Sequence, residues 1–302
     1  MYYLHLGSAG GAKMGQVITV MNMKGGVGKT TVSAHIGGII ARYADLSKKP
    51  QRVLLVDYDP QFNLSQIYLP AKTYFQLEKS RKTTIAILLD DDTDLDPYHL
   101  QVPGNHVPPK PDDLSSSIYK FKSGGGLDLI PSTLDLMYVA LGQADAQIRP
   151  LEERFRKFID SCKAQYDLVL IDCHPAGSIF TKTSLRNSNH VLIPVVPQRF
   201  AVRGIGLMMN FINAQAPGNA APTAHILFNS TPRTGPSKEE LQIRGDPLYS
   251  SLCLTNTLKR FKAFTEPEAG SGFVWHSTKP YSTEAFRNLY SVAKELTARI
   301  GV

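Results

Sequence analysis

Residues 22–31 read NMKGGVGKTT, with three glycines and two lysines packed into one short segment directly before two threonines. Glycine weakens the interior of a helix or a strand, so such a cluster marks a turn whose backbone needs unusual freedom. The apolar residues 17–21 before it read as a short buried strand, and residues 31–44 after it have helical composition. A glycine-rich turn between a strand and a helix leaves backbone N–H groups pointing into one hollow. Such a hollow holds an anion, and the positive end of the helix assists it. This strand–turn–helix unit restricts the chain to folds in which a parallel strand hands a ligand to a helix N-terminus.

Further apolar runs end in polar or small residues. Residues 53–56 lead into Asp57, 127–130 into Pro131-Ser132, 168–171 into Asp172, 191–196 into Pro197-Gln198, and 226–228 into Asn229. The runs are continuous rather than alternating, as expected for strands covered on both faces of a parallel sheet. Helical stretches over 31–44, 151–161 and 205–214 lie between them. The predicted fold is α/β, a doubly wound and mostly parallel sheet flanked by helices, with its ligand site at the carboxyl ends of the strands. Two segments break the pattern and read as irregular excursions: residues 90–126, with an acidic start and several prolines, and residues 230–247. Ser282 is positioned to cap a last helix running to about Ile300, with Phe286, Leu289, Tyr290, Ala293, Leu296 and Ile300 on one face.

Residues 1–13, MYYLHLGSAGGAK, lack the apolar centre of a signal peptide and read as a vector-derived leader before Met14. The cysteines Cys162, Cys173 and Cys253 form no paired motif, which fits a reducing compartment without a disulfide framework. No apolar run is long enough to span a membrane. The formal net charge of +7 permits an acidic partner such as nucleic acid. Lys259, Arg260, Lys262, Lys279, Arg287 and Lys294 form the candidate DNA-contacting set, against the plainer reading of an ordinary solvated face.

The phosphate-loop pattern is Gly or Ala, four residues, then Gly-Lys-Thr/Ser. Met23 occupies its first position, Lys24 its second, and Gly25-Gly26-Val27-Gly28-Lys29-Thr30 obeys the remainder. Lys29 is suited to the outer phosphates and the Thr30 hydroxyl to Mg²⁺. Asp172 is a natural carboxylate for Mg²⁺, acting through water. In VDYDPQ, Asp57 and Asp59 stand two apart, so on an extended segment both point to one side. One carboxylate orients an attacking water while the other supports Mg²⁺ and the loop lysine; alternatively, one of them only bonds nearby backbone. Lys24 is superfluous for binding a nucleotide within one subunit, and it gains a purpose if it crosses a dimer interface to the partner's phosphates.

These segments resemble the ParA/MinD/Soj family of P-loop ATPases. KGGVGKTT is similar to its deviant Walker A motif, RVLLVDYDPQFNLS to its second motif, and YDLVLIDCHPAGS to its Walker B and switch segment. GLDLIPSTLDL, NHVLIPVVPQRFAVRGI and ILFNSTPRTGPS resemble ParA proteins as well, so the likeness covers residues 14–302 as one ATPase domain. The resemblance implies that Gly25, Gly26, Val27, Gly28, Lys29, Thr30 and Thr31 hold ATP or ADP, with Asn229 on the adenine side. It also implies Lys24 as the signature lysine, Asp59 as the water-activating aspartate with Asp57 as its partner, and Thr30 and Asp172 at Mg²⁺, with Asp57 as the third candidate metal residue. No Asn-Lys-x-Asp guanine reader follows Asn229, which favours ATP. His174, in Cys173-His174-Pro175, stands where relatives often have Pro or Thr and reads as a tolerated loop substitution, with a sensor of nucleotide state as the alternative. Phe62 stands where relatives often carry glycine.

The implied function is plasmid or chromosome partition by a cytoplasmic, nucleoid-associated ATPase. It forms an ATP-dependent homodimer, binds nonspecific double-stranded DNA, and has its hydrolysis stimulated by a ParB-like or other centromere-binding adaptor. No membrane partner is expected, because the final helix uses its apolar positions in the core. The alternatives are an ATPase that positions a protein cargo such as a chemotaxis array, and a nucleotide-dependent regulatory adaptor with little turnover.

Overall fold

The apolar runs become the centre of a seven-stranded sheet. The computed structural model describes residues 14–90, 107–141, 145–174, 177–215, 221–267 and 272–302. The expected leader and residues 91–106 of the first excursion lie outside the described residues. The strands are β1 Gln16–Val20, β2 Arg52–Tyr58, β3 Ser116–Lys120, β4 Gly126–Ile130, β5 Leu168–Cys173, β6 His190–Val195 and β7 Thr223–Phe228. Their order is β3-β4-β2-β5-β1-β6-β7. Every neighbouring pair is parallel except β3 with β4.

The connections carry α1 Lys29–Arg42, α2 Asn63–Tyr68, α3 Ala71–Lys79, α4 Ile85–Leu88, α5 Pro111–Leu114, α6 Leu136–Leu141, α7 Asp145–Gln165, α8 Ile179–Arg186, α9 Ala201–Gln215, α10 Lys238–Gly245 and α11 Ser282–Ile300. Alternate strand residues sort into two layers. Ile18, Val53, Leu55, Leu168 and Leu170 pack under α1 and α11. Val17, Leu54, Val56, Val169 and Ile171 pack with α7 and the start of α8. The β6–β7 end of that second face is covered by α9. Both faces being dry explains why these strands read as unbroken apolar runs.

Three expectations are corrected. The 90–126 excursion contains α5 and the edge strand β3; the sequence SSIYK was hard to read as a strand because an edge strand is only partly covered, and its residues here are half-buried or exposed. The 230–247 excursion contains α10, capped by Ser237, whose Oγ accepts the Glu240 N–H at 3.2 Å. Ser282 is the first residue of α11 rather than its cap: Tyr281 holds the cap position in a left-handed conformation, φ 63°, with no side-chain bond. The predicted apolar face of α11 does pack inward, with Leu289, Ala293, Leu296 and Ile300 buried. All three cysteines are free and buried.

Arg154 of α7, 2% exposed, closes the base of the first excursion. Its guanidinium donates to the carbonyls of Ala86, Ile87 and Val107 and pairs with Asp90 at 2.6 Å. A different close approach fixes α1. A Cβ at Gly38 would lie 2.1 Å from Cε1 of Phe273. Gly38→Ala should therefore destabilise the protein by about 1–3 kcal/mol through overpacking, although alanine ordinarily gains about 1 kcal/mol over glycine inside a helix. A denaturant midpoint raised by this substitution would contradict the packing account.

Candidate functional site

The turn between β1 and α1 has the backbone that its glycines allow. Gly26 and Gly28 take φ of +73° and +82°, where a side chain would be strained. A Cβ at Gly28 would also lie 2.5 Å from Nδ2 of Asn229. That amide donates to the Val27 carbonyl at 2.8 Å, so Asn229 braces the loop from the end of β7. At Gly25 and Gly26 a Cβ would meet nothing within 4 Å. The first turn of α1 contains Lys29, Thr30 and Thr31, no acidic residue and no side-chain cap. Its N–H groups and an open glycine shoulder suit a phosphate chain.

The carboxylates come next to it by register. Asp57 of β2 pairs with Asp172 of β5. Each lies two residues beyond a side chain packed under α1, Leu55 and Leu170, so both carboxylates point toward α1. Oδ1 of Asp172 accepts the Ser33 hydroxyl at 3.0 Å. Burial raises the Asp172 carboxyl to about 6, opposed by hydrogen bonds from Thr30 and Ser33 and by the Lys29 charge. Burial and then the Asp172 charge push Asp57 well above the usual carboxylate range.

Asp57 is where the sequence expectation needs correction. It is 0% exposed and does not open onto the site. Its Oδ2 accepts both the N–H and the hydroxyl of Ser65, at 2.7 and 2.6 Å. The Ser65 oxygen in turn accepts the Ser132 N–H at 2.9 Å, and the Ser132 hydroxyl donates to the Asp59 carbonyl at 2.7 Å. Asp57 thus holds the 59–65 turn, which is the alternative of a backbone-bonding carboxylate rather than a direct metal ligand. Asp59 lies at the rim, with Oδ1 accepting the Gln61 N–H at 3.0 Å. Phe62 sits in the left-handed region at φ 44°, which favours glycine. Its ring stacks on Tyr74 with centroids 5.1 Å apart.

Thr30 and Asp172 together offer hydroxyl and carboxylate oxygens, the donors Mg²⁺ prefers, and Mg²⁺ keeps several waters of its own. The fit is good: the Asp172 carboxyl, raised by burial, lies beneath the loop beside Thr30 and Lys29. A hollow of about 370 Å³ lined by Thr30, Asn63, Gln66 and Ile67 adjoins them. Ser33, Ser65 and Ser132 were not found from the sequence. Ser33 had a usable signal, three residues after Thr30 and so on the same helix face; Ser132 was visible only as a polar residue after a strand run, and its partners, distant in the chain, were not.

Lys24 is exposed. Its Nζ donates to Oε1 of Gln198 at 2.9 Å, and its N–H to Oδ1 of Asn22, whose amide is tied to the Pro194 carbonyl. His174 is half-buried directly after β5.

The basic candidates are only partly gathered. Lys259 and Arg287 line one hollow of about 460 Å³ together with Arg233, which the sequence reading omitted. The Arg233 guanidinium lies 4.3 Å from the Tyr281 ring centroid and 5.6 Å from that of Phe261. Arg260, Lys262 and Lys294 are exposed, Lys294 two turns along α11 from Arg287. Lys279 departs from the expectation of a free DNA-contacting cation, because it pairs with Glu266 at 3.3 Å and bonds Thr265.

The AAA domain family model matches residues 15–217. The chromosome-partitioning ATPase Soj of Treponema pallidum is 30% identical over 291 residues, covering 95% of this chain and 99% of the relative. This chain belongs to the ParA/MinD/Soj family of deviant Walker A P-loop ATPases. An uncharacterized protein of Methanocaldococcus jannaschii is 31% identical over 81% of this ParA-family chain and 84% of its own. In fold, the chain is similar to two structures of pNOB8 ParA, the second of them bound to nonspecific DNA. The TM-scores are 0.68 and 0.61 at 20% and 22% identity, each covering 95% of this chain and 99% of that one. At the family level the chain is a partition-type ATPase. Among the described residues, no helix is long and apolar enough to cross a membrane.

The raised Asp172 carboxyl sets a sign. Its folded form binds a proton more tightly than the unfolded chain does, so its contribution to stability is present below about pH 4 and is lost as pH rises to about 6. In the metal-free protein at pH 7.5, Asp172→Asn should gain on the order of 1–3 kcal/mol, while Mg²⁺-dependent nucleotide binding is lost. A thermal melt and a nucleotide titration read the two effects, and a destabilised variant would overturn the burial argument.

Proposed function

We propose that this chain is a Mg²⁺-dependent partition ATPase that dimerises with ATP, holds nonspecific duplex DNA in that state, and leaves it when a centromere-bound partner stimulates hydrolysis. The observation that carries the reading is the division of labour between two lysines of one loop. Lys29 stands beside Asp172 at the head of α1, while Lys24 projects outward and is held toward the end of β6. Residues 25–31 cradle the phosphates, and Lys29 meets the outer ones. Thr30 and Asp172 hold Mg²⁺, which when bound neutralises charge on the phosphates. Asp59, at the rim of the 59–65 turn, orients the attacking water. Asp57 sets that turn through Ser65, so its part is positioning. Lys24 reaches the phosphates of a second copy, making nucleotide the link between subunits.

Arg233, Lys259, Arg260, Lys262, Arg287 and Lys294 supply the DNA-contacting charge, and the place of action is the nucleoid in the cytoplasm. Contacts of this kind follow the backbone without regard to sequence and weaken steeply with salt.

The test is binding to duplex DNA at modest salt with no nucleotide, with ADP–Mg²⁺ and with ATP–Mg²⁺, following dimer mass in the same samples. ATP alone should give both dimer and DNA retention. Lys24→Ala should abolish both. Arg287→Glu with Lys294→Glu should keep the dimer and lower DNA affinity by roughly tenfold or more. ATP-dependent dimerisation without DNA retention would reject DNA as the partner and favour a protein cargo.

A further inference from the structure

The opposite end of α1 carries a second cationic site. Arg42 is the last residue of α1, thirteen after Lys29, so it lies roughly 20 Å from the phosphate loop along the helix axis. It opens onto a hollow of about 540 Å³ between the end of α1, the β3–β4 turn and the segment around Trp275. Lys120, Lys122 and His276 line this hollow with Arg42, and no carboxylate does. Arg42, Lys120 and Lys122 have no ion-pair partner among the described residues. The nearby Asp45 is bonded to the Tyr290 hydroxyl instead.

The walls are aromatic. Tyr43, Tyr119 and Phe121 line the hollow. The Arg42 guanidinium lies 5.4 Å from the ring centroid of Tyr43 and 5.6 Å from those of Phe121 and Trp275, and its Nε is buried without a hydrogen-bond partner. Helix termination does not require this charge, because the Arg42 carbonyl already accepts the Ser123 hydroxyl at 3.0 Å. Like charges brought together without acids raise the free energy of the fold. Aromatic walls among unpaired cations are the surroundings that bind a flat ring carrying a phosphate.

We infer that this hollow binds a nucleotide unit, base against the aromatic wall and phosphate against Arg42, Lys120 and Lys122, as a site separate from the phosphate loop. The unit comes either from a free mononucleotide or from an unpaired strand. The inference does not depend on the proposed function, because no residue of the phosphate loop takes part.

Trp275, the chain's single tryptophan, reports on the site through its contact with Arg42. The full chain, free of nucleotide, is titrated with thymidine monophosphate and with (dT)4, neither of which offers a triphosphate, and inorganic phosphate serves as control. A saturable change in Trp275 emission is expected. Lys120→Glu with Lys122→Glu should weaken it by roughly tenfold, with ATP–Mg²⁺ binding unchanged and the melting temperature raised rather than lowered; the Gln/Gln pair should do the same to a smaller degree. A response to the mononucleotide identifies a free ligand as sufficient, and a response to (dT)4 alone identifies the strand. The assignment is overturned if neither probe is bound, if the lysine variants bind like the parent, or if inorganic phosphate or duplex DNA binds at this site as tightly as thymidine monophosphate.

Discussion

The site is organised around one buried contact, the Asp172 carboxylate at the end of β5 against the first turns of α1. Ser33 and Thr30 reach it from the helix, and Lys29 contributes opposite charge. A carboxylate without water needs such partners, since an unpaired buried charge costs several kcal/mol. The contact fixes the rotation of α1 on the sheet, and with it the direction of the N–H groups at the helix start. The close approach of Gly38 to Phe273 sets the same helix from its other side. The glycine turn can then be open on one shoulder and braced by Asn229 on the other.

A second polar network lies one strand away. Asp57, Ser65 and Ser132 join the end of β2, the start of α2 and the segment after β4. Because these bonds are buried, they are stronger than their equivalents in water and demand a single arrangement. Asp59 is attached to this network through its carbonyl, so the rim carboxylate inherits the geometry of groups that never meet solvent. The two networks share a repulsion between Asp57 and Asp172, which ties the shape of the turn to the charge state beneath the loop.

What could be read from the sequence follows from how local each signal was. Six strands were legible because burial on both faces leaves continuous apolar runs such as residues 168–171. The phosphate loop was legible because its glycines, Lys29 and Thr30 act within a few residues of one another. The strand β3 was hidden because an edge strand alternates poorly, and α10 because an exposed helix carries little apolar pattern. Asp57 and Asp59 were recognised as a pair, but their separate tasks depend on Ser65 and Ser132, and the latter is set by topology alone. The omission of Arg233 and the inclusion of Lys279 have one cause: whether a basic side chain is free or paired depends on neighbours remote in sequence.

The left-handed Phe62 has a consequence for the energetics of the cycle. Glycine at this position leaves a turn free to wander, so that ordering it draws on the free energy of ligand binding. Here the Tyr74 stack holds the turn in place as part of the folded core. Entropy that glycine would surrender on binding a ligand is, with Phe62 stacked on Tyr74, surrendered when the chain folds. The turn is thereby pre-organised by a contact that is already made without a ligand.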